Sequence, residues 1–128
     1  MAPPQISPRV LKFVAEKIDT VAELEALLIL SDDENRPWSA QEIAARLYVE
    51  PASAVRALDT LARRALVAVE GMPARYRFSP LHSDDRAAFA ETAETYRHSL
   101  VTIATFIHSK ASVSVTEFAR AFDLKKEQ

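Results

Sequence analysis

Residues 39–78, SAQEIAARLYVEPASAVRALDTLARRALVAVEGMPARYRF, carry the strongest local structural signals in the chain. Ser39 and Glu42 have the spacing of a capping box, in which each side chain bonds to the other residue's backbone N–H. A helix is therefore predicted to begin at Ala40. Pro51 suits the first turn of a second helix, because proline lacks the N–H that this turn leaves unused. These signals predict two helices joined by a turn of a few residues.

The second helix, predicted over residues 51–66, has two chemically different sides. When its residues are projected at about 100° each, one arc is apolar and the opposite arc carries three arginines. The apolar arc consists of Val55, Leu58, Leu61, Ala62, Ala65 and Leu66. The polar arc consists of Ser53, Arg56, Ala57, Thr60, Arg63 and Arg64. The apolar arc is predicted to face the core, and the polar arc is free to meet a partner.

A β-hairpin is predicted directly after this helix. Residues 67–70 are rich in valine, residues 71–74 supply a turn that contains the chain's only glycine, and residues 75–78 alternate with period two. The alternation turns Tyr76 and Phe78 toward the helices and leaves Arg75 and Arg77 on the outer face. The order helix, turn, helix, hairpin is typical of a winged helix-turn-helix. The predicted fold class is mainly α with a small β-hairpin.

Helices are predicted on both sides of this core, and the whole of residues 1–128 is interpreted as one domain. An N-terminal helix is expected over residues 7–19, the winged helix-turn-helix over 20–80, and a C-terminal helical extension over 83–122. Whether residues 8–30 form two helices or one bent helix stays open. Within the extension, a continuous helix is expected from Asp84 to about His108.

That long helix carries a row of apolar residues at spacings of 4, 3, 4, 3 and 4. The row consists of Phe89, Ala93, Tyr96, Leu100, Ile103 and Ile107. It forms a candidate dimer interface. The row covers fewer heptads than a coiled coil needs, so packing against the chain's own first helices is an equal alternative.

Composition limits the classes of protein that this chain can represent. Its 128 residues, 48% apolar and 27% charged, can bury a core, and the absence of cysteine excludes disulfides and thiolate chemistry. The N-terminal sequence lacks the layout of a secretion signal, and no apolar run reaches the ~20 residues that cross a bilayer. We therefore expect a cytoplasmic protein that does not enter a membrane.

The charge distribution singles out one part of the chain. The net charge is −2, yet six arginines against four acids give residues 39–79 a net charge of +2. The segments on either side of it are net acidic. Affinity for nucleic acid through phosphate neutralisation is expected to be modest and strongly salt-dependent, unless a dimer doubles the contacts.

Catalytic and metal-binding patterns are weak. His82, His98 and His108 are the only histidines. The last two are separated by about 15 Å along a helix, which is too far for one metal ion. No catalytic residue, metal site or cofactor is therefore predicted, and the chain is not expected to be an enzyme. Tyr96 and Arg97 could line a pocket for a small-molecule effector, but no convergent polar groups support one.

Double-stranded DNA is the partner that the arginine-rich arc favours. Arginine binds guanine through two hydrogen bonds, and hydroxyl groups bond to bases or phosphates. Glu50 and Asp59 argue against this partner, because their carboxylates would repel phosphate. The alternative is a winged helix that binds another protein. The candidate DNA-binding residues are Ser53, Arg56, Ala57, Thr60, Arg63 and Arg64 on the helix and Arg75 and Arg77 on the hairpin.

The segment from Leu24 to Pro80 resembles bacterial winged helix-turn-helix transcriptional regulators of the broad MarR-like kind. The motifs that carry the resemblance are SAQEIAARL, PASAVRALDTLARRALV and VEGMPARYRF. The resemblance implies a homodimer whose flanking helices, at residues 8–18 and 84–108, build the interface. It also implies recognition-helix positions at Ser53, Arg56, Ala57 and Thr60, and wing positions at Arg75 and Arg77.

Overall fold

The computed structural model describes residues 6–109, which form six helices and three short strands. The elements in chain order are α1 (Pro8–Lys17), α2 (Val21–Asp32), β1 (Trp38–Ser39), α3 (Ala40–Leu47), α4 (Pro51–Arg63), β2 (Val67–Glu70), β3 (Arg75–Phe78), α5 (Ser83–His98) and α6 (residues 100–109). The part of the predicted C-terminal extension beyond residue 109 lies outside the described residues.

The first two helices are separate. Ile18, directly after α1, is extended, with φ −123° and ψ 119°. The side chain of Thr20 accepts a 3.1 Å hydrogen bond from the N–H of Glu23. The Glu23 carboxylate accepts a 2.9 Å bond from the N–H of Asp19. The first bond caps the start of α2 and the second holds the residue that precedes its N-cap, so α2 begins as an independent helix.

The helix-turn-helix is formed by α3 and α4, as the capping pattern predicts. Ser39 Oγ accepts a 3.1 Å bond from the N–H of Glu42, and Glu42 Oε1 accepts a 2.9 Å bond from the N–H of Ser39. The bond from the Ser39 backbone is the main reason that the pKa of Glu42 lies below its ordinary value. Tyr48 ends α3 in the left-handed region, at φ 58°, and Pro51 opens α4.

The predicted hairpin is present and belongs to a three-stranded antiparallel sheet of order β1-β3-β2. Trp38 pairs with Tyr76, and Val67 pairs with Phe78. Gly71 has φ +82° in the turn, a backbone conformation that residues other than glycine rarely adopt. Strand β1 has only two residues, which is too short to leave a periodic pattern in the sequence.

Two predicted helix boundaries are wrong. α4 ends at Arg63 instead of Leu66, because Ala65 adopts φ 62° and turns the chain into β2. The predicted continuous helix from residue 84 to 108 is broken at Ser99, whose φ and ψ are −139° and 48°. The hydroxyl of Thr95, one turn earlier, donates a 2.9 Å bond to the carbonyl of Glu91. Such back-bonding weakens a helix at that turn.

The core joins the sheet, the helix-turn-helix and the flanking helices. Phe89 of α5 lies 5.5 Å from the ring of Phe78 and 6.1 Å from the ring of Phe13 in α1. Leu58 and Leu61 of α4 are fully buried. None of the helices within residues 6–109 combines the length and the hydropathy of a membrane span.

Candidate nucleic-acid interface

The orientation of α4 is set by packing against three elements, namely α2, α3 and β2. Leu58 and Leu61 are fully buried, and Ala54 and Ala57 are 1% and 5% exposed. Ala57 therefore does not lie on the solvent side to which the sequence projection assigned it. Three packing partners bury a wider arc of the helix than the apolar residues alone indicate, and small alanines complete that arc.

The side of α4 that faces solvent is rotated by roughly a quarter turn from the predicted polar arc. Val55, which the projection assigned to the core, is 38% exposed. We call this surface the exposed α4 face. It consists of Ala52, Val55, Arg56, Asp59 and Arg63, of which Asp59 is half-buried and the others are exposed.

Two hydroxyl groups lie at the edge of the exposed α4 face and position its arginines. Arg56 Nη2 donates a 3.2 Å bond to Ser53 Oγ, and Arg63 Nη2 donates a 3.1 Å bond to Thr60 Oγ1. Ser53 and Thr60 are half-buried, whereas both arginines are exposed. Each arginine therefore lies along the helix surface and keeps further N–H groups for a partner.

Asp59, in the middle of the exposed α4 face, connects the helix to the hairpin. Its carboxylate accepts a 2.9 Å bond from the hydroxyl of Tyr76 in β3. Tyr76 is 4% exposed. Burial, and then the Asp59 carboxylate, raise the pKa of Tyr76 to about 12. The hydroxyl therefore keeps its proton at neutral pH and holds the hairpin against α4.

The two arginines of β3 have different surroundings. Tyr76 and Phe78 are buried, so the predicted inner face of the strand is confirmed. Arg75 is exposed, whereas Arg77 is half-buried and lies 3.7 Å from the carboxylate of Glu70 on β2. The negative charge of Glu70 partly offsets Arg77, and Arg75 is the more available of the two cations.

Arg64 is turned away from the exposed α4 face. Its Nη2 donates a 2.6 Å bond to Asp19 in the loop between α1 and α2. Its Nη1 is buried and has no hydrogen-bond partner among the described residues. The side chain thus ties the end of α4 to the preceding helices. The sequence projection could not detect this ion pair, because its partners are 45 residues apart.

The ten arginines of the described region fall into two groups. Six form ion pairs with carboxylates, namely Arg9, Arg36, Arg64, Arg77, Arg86 and Arg97. Four form no ion pair with any residue in 6–109, namely Arg46, Arg56, Arg63 and Arg75. All four unpaired arginines belong to α3, α4 and β3. We call them the unpaired arginines.

Arg46, in the last turn of α3, is the member of this group that sequence analysis missed. Its guanidinium lies 5.4 Å from the centre of the Trp38 ring, and Arg36 lies 3.6 Å from the same ring. Trp38 pairs with Tyr76, which bonds to Asp59 of α4. These contacts connect the last turn of α3, through β1 and β3, to the middle of α4.

Most residues of the predicted dimer row are buried within the chain's own core. Phe89, Ala93, Tyr96, Ile103 and Ile107 are buried, whereas Leu100 is 51% exposed. Val101, next to Leu100, is 74% exposed. The apolar surface that remains available at the junction of α5 and α6 therefore centres on residues 100 and 101.

The candidate effector and metal sites contain little convergent chemistry. The Tyr96 hydroxyl donates a 3.0 Å bond to Glu25, and Arg97 pairs with Glu94 at 3.2 Å. Arg97 lines a small groove between α2 and α5, whereas Tyr96 does not. A separate groove of about 680 Å³ runs between α1 and the start of α5. Across residues 6–109, no three potential ligands from His, Cys, Asp and Glu cluster around a common point.

No protein-family model matches the sequence, and no curated protein matches it. Solved structures do match. The Mycobacterium tuberculosis transcriptional regulator MosR has a TM-score of 0.55 and 19% identity, over 90% of this chain and 84% of that chain. A MarR family protein from Bacillus stearothermophilus has a TM-score of 0.51 and 16% identity, over 94% and 84% of the two chains.

The adhesin competence repressor AdcR from Streptococcus pyogenes is also similar, with a TM-score of 0.51 and 15% identity. The match covers 93% of this chain and 91% of that chain. These matches extend over the flanking helices as well as the helix-turn-helix. The chain therefore has the MarR-like winged-helix fold.

The Tyr76–Asp59 bond makes a prediction about stability. Replacing Tyr76 by Phe removes the bond from a buried hydroxyl, so the free energy of unfolding at pH 7 should fall by about 1–2 kcal/mol. Above pH 10, wild-type stability should decline as pH rises, because the unfolded chain releases the Tyr76 proton that the folded state holds up to about pH 12. Denaturant unfolding from pH 7 to 12 measures both effects.

The part of the alkaline decline that comes from Tyr76 should be absent in Tyr76→Phe. Tyr48→Phe is the matched control, because Tyr48 is 95% exposed and its loss should leave stability nearly unchanged. Identical pH profiles for wild type and Tyr76→Phe would contradict the assignment.

The neighbouring arginines Arg63 and Arg64 should differ in what they do for stability. Arg64→Ala breaks a half-buried ion pair and should lower the free energy of unfolding by about 1 kcal/mol. Arg63→Ala changes an exposed side chain and should stay within about 0.5 kcal/mol of wild type. Urea unfolding of the two variants makes the comparison, and equal losses would contradict the distinction.

Proposed function

We propose that this chain is a DNA-binding transcriptional regulator that acts as a homodimer and inserts α4 into the major groove. The fold is the first support, because the matched structures include transcriptional regulators. Fold alone does not determine function, so the proposal rests on the chemistry of the exposed surface.

The observation that carries the proposal is the location of the unpaired arginines. In an acidic protein, most arginines of the described region are neutralised by neighbouring carboxylates. The four that are not neutralised lie within residues 39–79, which form the helix-turn-helix and its hairpin. Unneutralised guanidinium groups clustered on one exposed region suit the phosphates and base edges of DNA.

The geometry assigns different roles to these four arginines. In a helix-turn-helix, residues near the start of the second helix contact base edges. Arg56 is in the second turn of α4 and is the arginine best suited to guanine. Arg63, at the end of α4, Arg46 on α3 and Arg75 on β3 would neutralise phosphates. Arg64 and Arg77 are held in ion pairs and would contribute less to DNA binding. Ala57 is buried and is excluded from the contact surface.

Acidic residues on this surface favour a second candidate function, namely that of a winged helix that binds another protein. Asp59 lies within the exposed α4 face, and Glu50 precedes the helix. The Tyr76 hydroxyl bonds to Asp59 and draws its carboxylate toward the hairpin. The two exposed arginines of the helix flank that carboxylate one turn away on each side. This balance favours DNA, while the protein-binding alternative is an outcome of the test below.

A homodimer would double the number of unpaired arginines that meet one DNA duplex. The exposed Leu100 and Val101 offer the apolar contact for a partner subunit. Two-fold symmetry would present two copies of α4 to half-sites about one helical turn apart. With three phosphate-binding arginines in each subunit, a plot of the logarithm of the DNA-binding constant against the logarithm of the salt concentration should have a slope of about −5.

DNA binding should depend on the unpaired arginines and not on total charge. Arg63→Ala should reduce the magnitude of the salt slope by about 1 for each subunit, and Arg56→Ala should weaken binding to a selected site by about five- to 150-fold for each subunit that contacts it. Fluorescence anisotropy with duplexes from a random-sequence selection, at several salt concentrations, measures both effects.

Arg97→Ala is the matched control, because it removes another exposed arginine, which lies on α5 and is paired with Glu94. Its effect should be small. Salt-insensitive binding by the wild type, or no binding at all, would contradict the proposal and favour the protein-binding alternative.

The solution mass tests the homodimer. Wild-type protein should sediment at twice the mass of one chain, whereas Val101→Glu should shift the mass toward the monomer because it places a charge in an apolar contact. Leu81→Glu is the matched control, since Leu81 is 73% exposed and lies outside α5 and α6. A monomeric wild type, or equal effects of the two variants, would overturn the interface.

A further inference from the structure

The exposed α4 face contains an apolar part that the arginines do not explain. Ala52 and Val55 are exposed one turn apart, near the start of the helix. Val55 is 38% exposed and adjoins Arg56. A β-branched side chain slightly weakens a helix, so helix propensity does not explain a valine at this partly exposed position.

We propose that Val55, supported by Ala52, determines operator specificity by contacting the C5-methyl group of a pyrimidine beside the guanine bound by Arg56. This inference rests on the proposed function and names the base that the α4 surface selects. The part of the helix that carries these residues is the part that reaches base edges in a helix-turn-helix.

The chemistry of the major groove limits what an isopropyl group can recognise. The edges of guanine, adenine and cytosine present hydrogen-bonding groups there, and thymine adds a C5-methyl group beside its oxygen. A valine over a cytosine amino group or a purine acceptor would displace water without replacing the lost hydrogen bond. Over a methyl group, the same valine buries apolar surface and displaces little bound water.

Arg56 makes the position of this contact specific. Its Nη2 bonds to Ser53 on the side of the helix away from Val55, which holds the guanidinium along the helix surface. Val55 and Arg56 are consecutive and both exposed, so the proposal places their contacts on neighbouring base pairs. A half-site is therefore expected to contain a thymine next to a guanine, with 5-methylcytosine as a second source of the same methyl group.

The test removes the methyl group from the DNA without changing any hydrogen bond. After selection of a binding site from a random duplex library, each thymine is replaced in turn by deoxyuridine, and affinity is measured by anisotropy. At one position in each half-site, uracil should weaken wild-type binding about fourfold, as expected for the loss of one buried carbon. At that position, 5-methylcytosine should bind about fourfold more tightly than cytosine.

Val55→Ala should bind the thymine and uracil duplexes with nearly equal affinity. This variant changes an exposed helix residue to a better helix former, so folding should be preserved. The matched control is Val69→Ala, which shortens a valine that is 49% exposed on β2 and should keep the fourfold difference.

If uracil weakens binding at none of the thymine positions, the inference is overturned and the proposed function stays intact. A methyl preference that persists in Val55→Ala would also overturn it. If the wild type selects no sequence and binds no duplex, the proposed function fails and this inference fails with it.

Discussion

The burial of α4 against α2, α3 and β2 is the constraint on which the remaining surface depends. Leu58 and Leu61 insert fully into the core, and the buried Ala54 and Ala57 let neighbouring elements approach. Burying two leucines of this kind stabilises the fold by about 3–6 kcal/mol. Because the helix is clamped on this side, Val55, Arg56 and Arg63 have to face solvent.

Ion pairing then separates structural arginines from available ones. Arg64 stabilises the junction of α4 with the loop before α2, and Arg77 is drawn toward Glu70. Arg56 and Arg63 bond only to hydroxyl groups of their own helix among the described residues. A hydroxyl orients a guanidinium without cancelling its charge, so these side chains are prepared for an anionic partner at little entropic cost.

Local signals made the helix-turn-helix and the hairpin predictable from the sequence. The Ser39 capping box, the proline at residue 51 and the glycine at residue 71 act through backbone geometry within a few residues. The rotation of α4 was not predictable, because it reflects three packing partners that a one-helix projection does not contain. The Arg64–Asp19 pair joins residues far apart in sequence. No glycine or proline marks the helix break at Ser99 in the sequence.

The proposed function requires Arg46, Arg56, Arg63 and Arg75 to form one DNA-binding surface. Nitrogen-detected NMR of the arginine side chains, with a duplex from the selected site added at low salt, tests it most directly. Large shifts are expected for those four guanidinium groups, with little change for Arg64 and Arg97, which are held in ion pairs. Shifts confined to the paired arginines, or spread evenly over both groups, would contradict it.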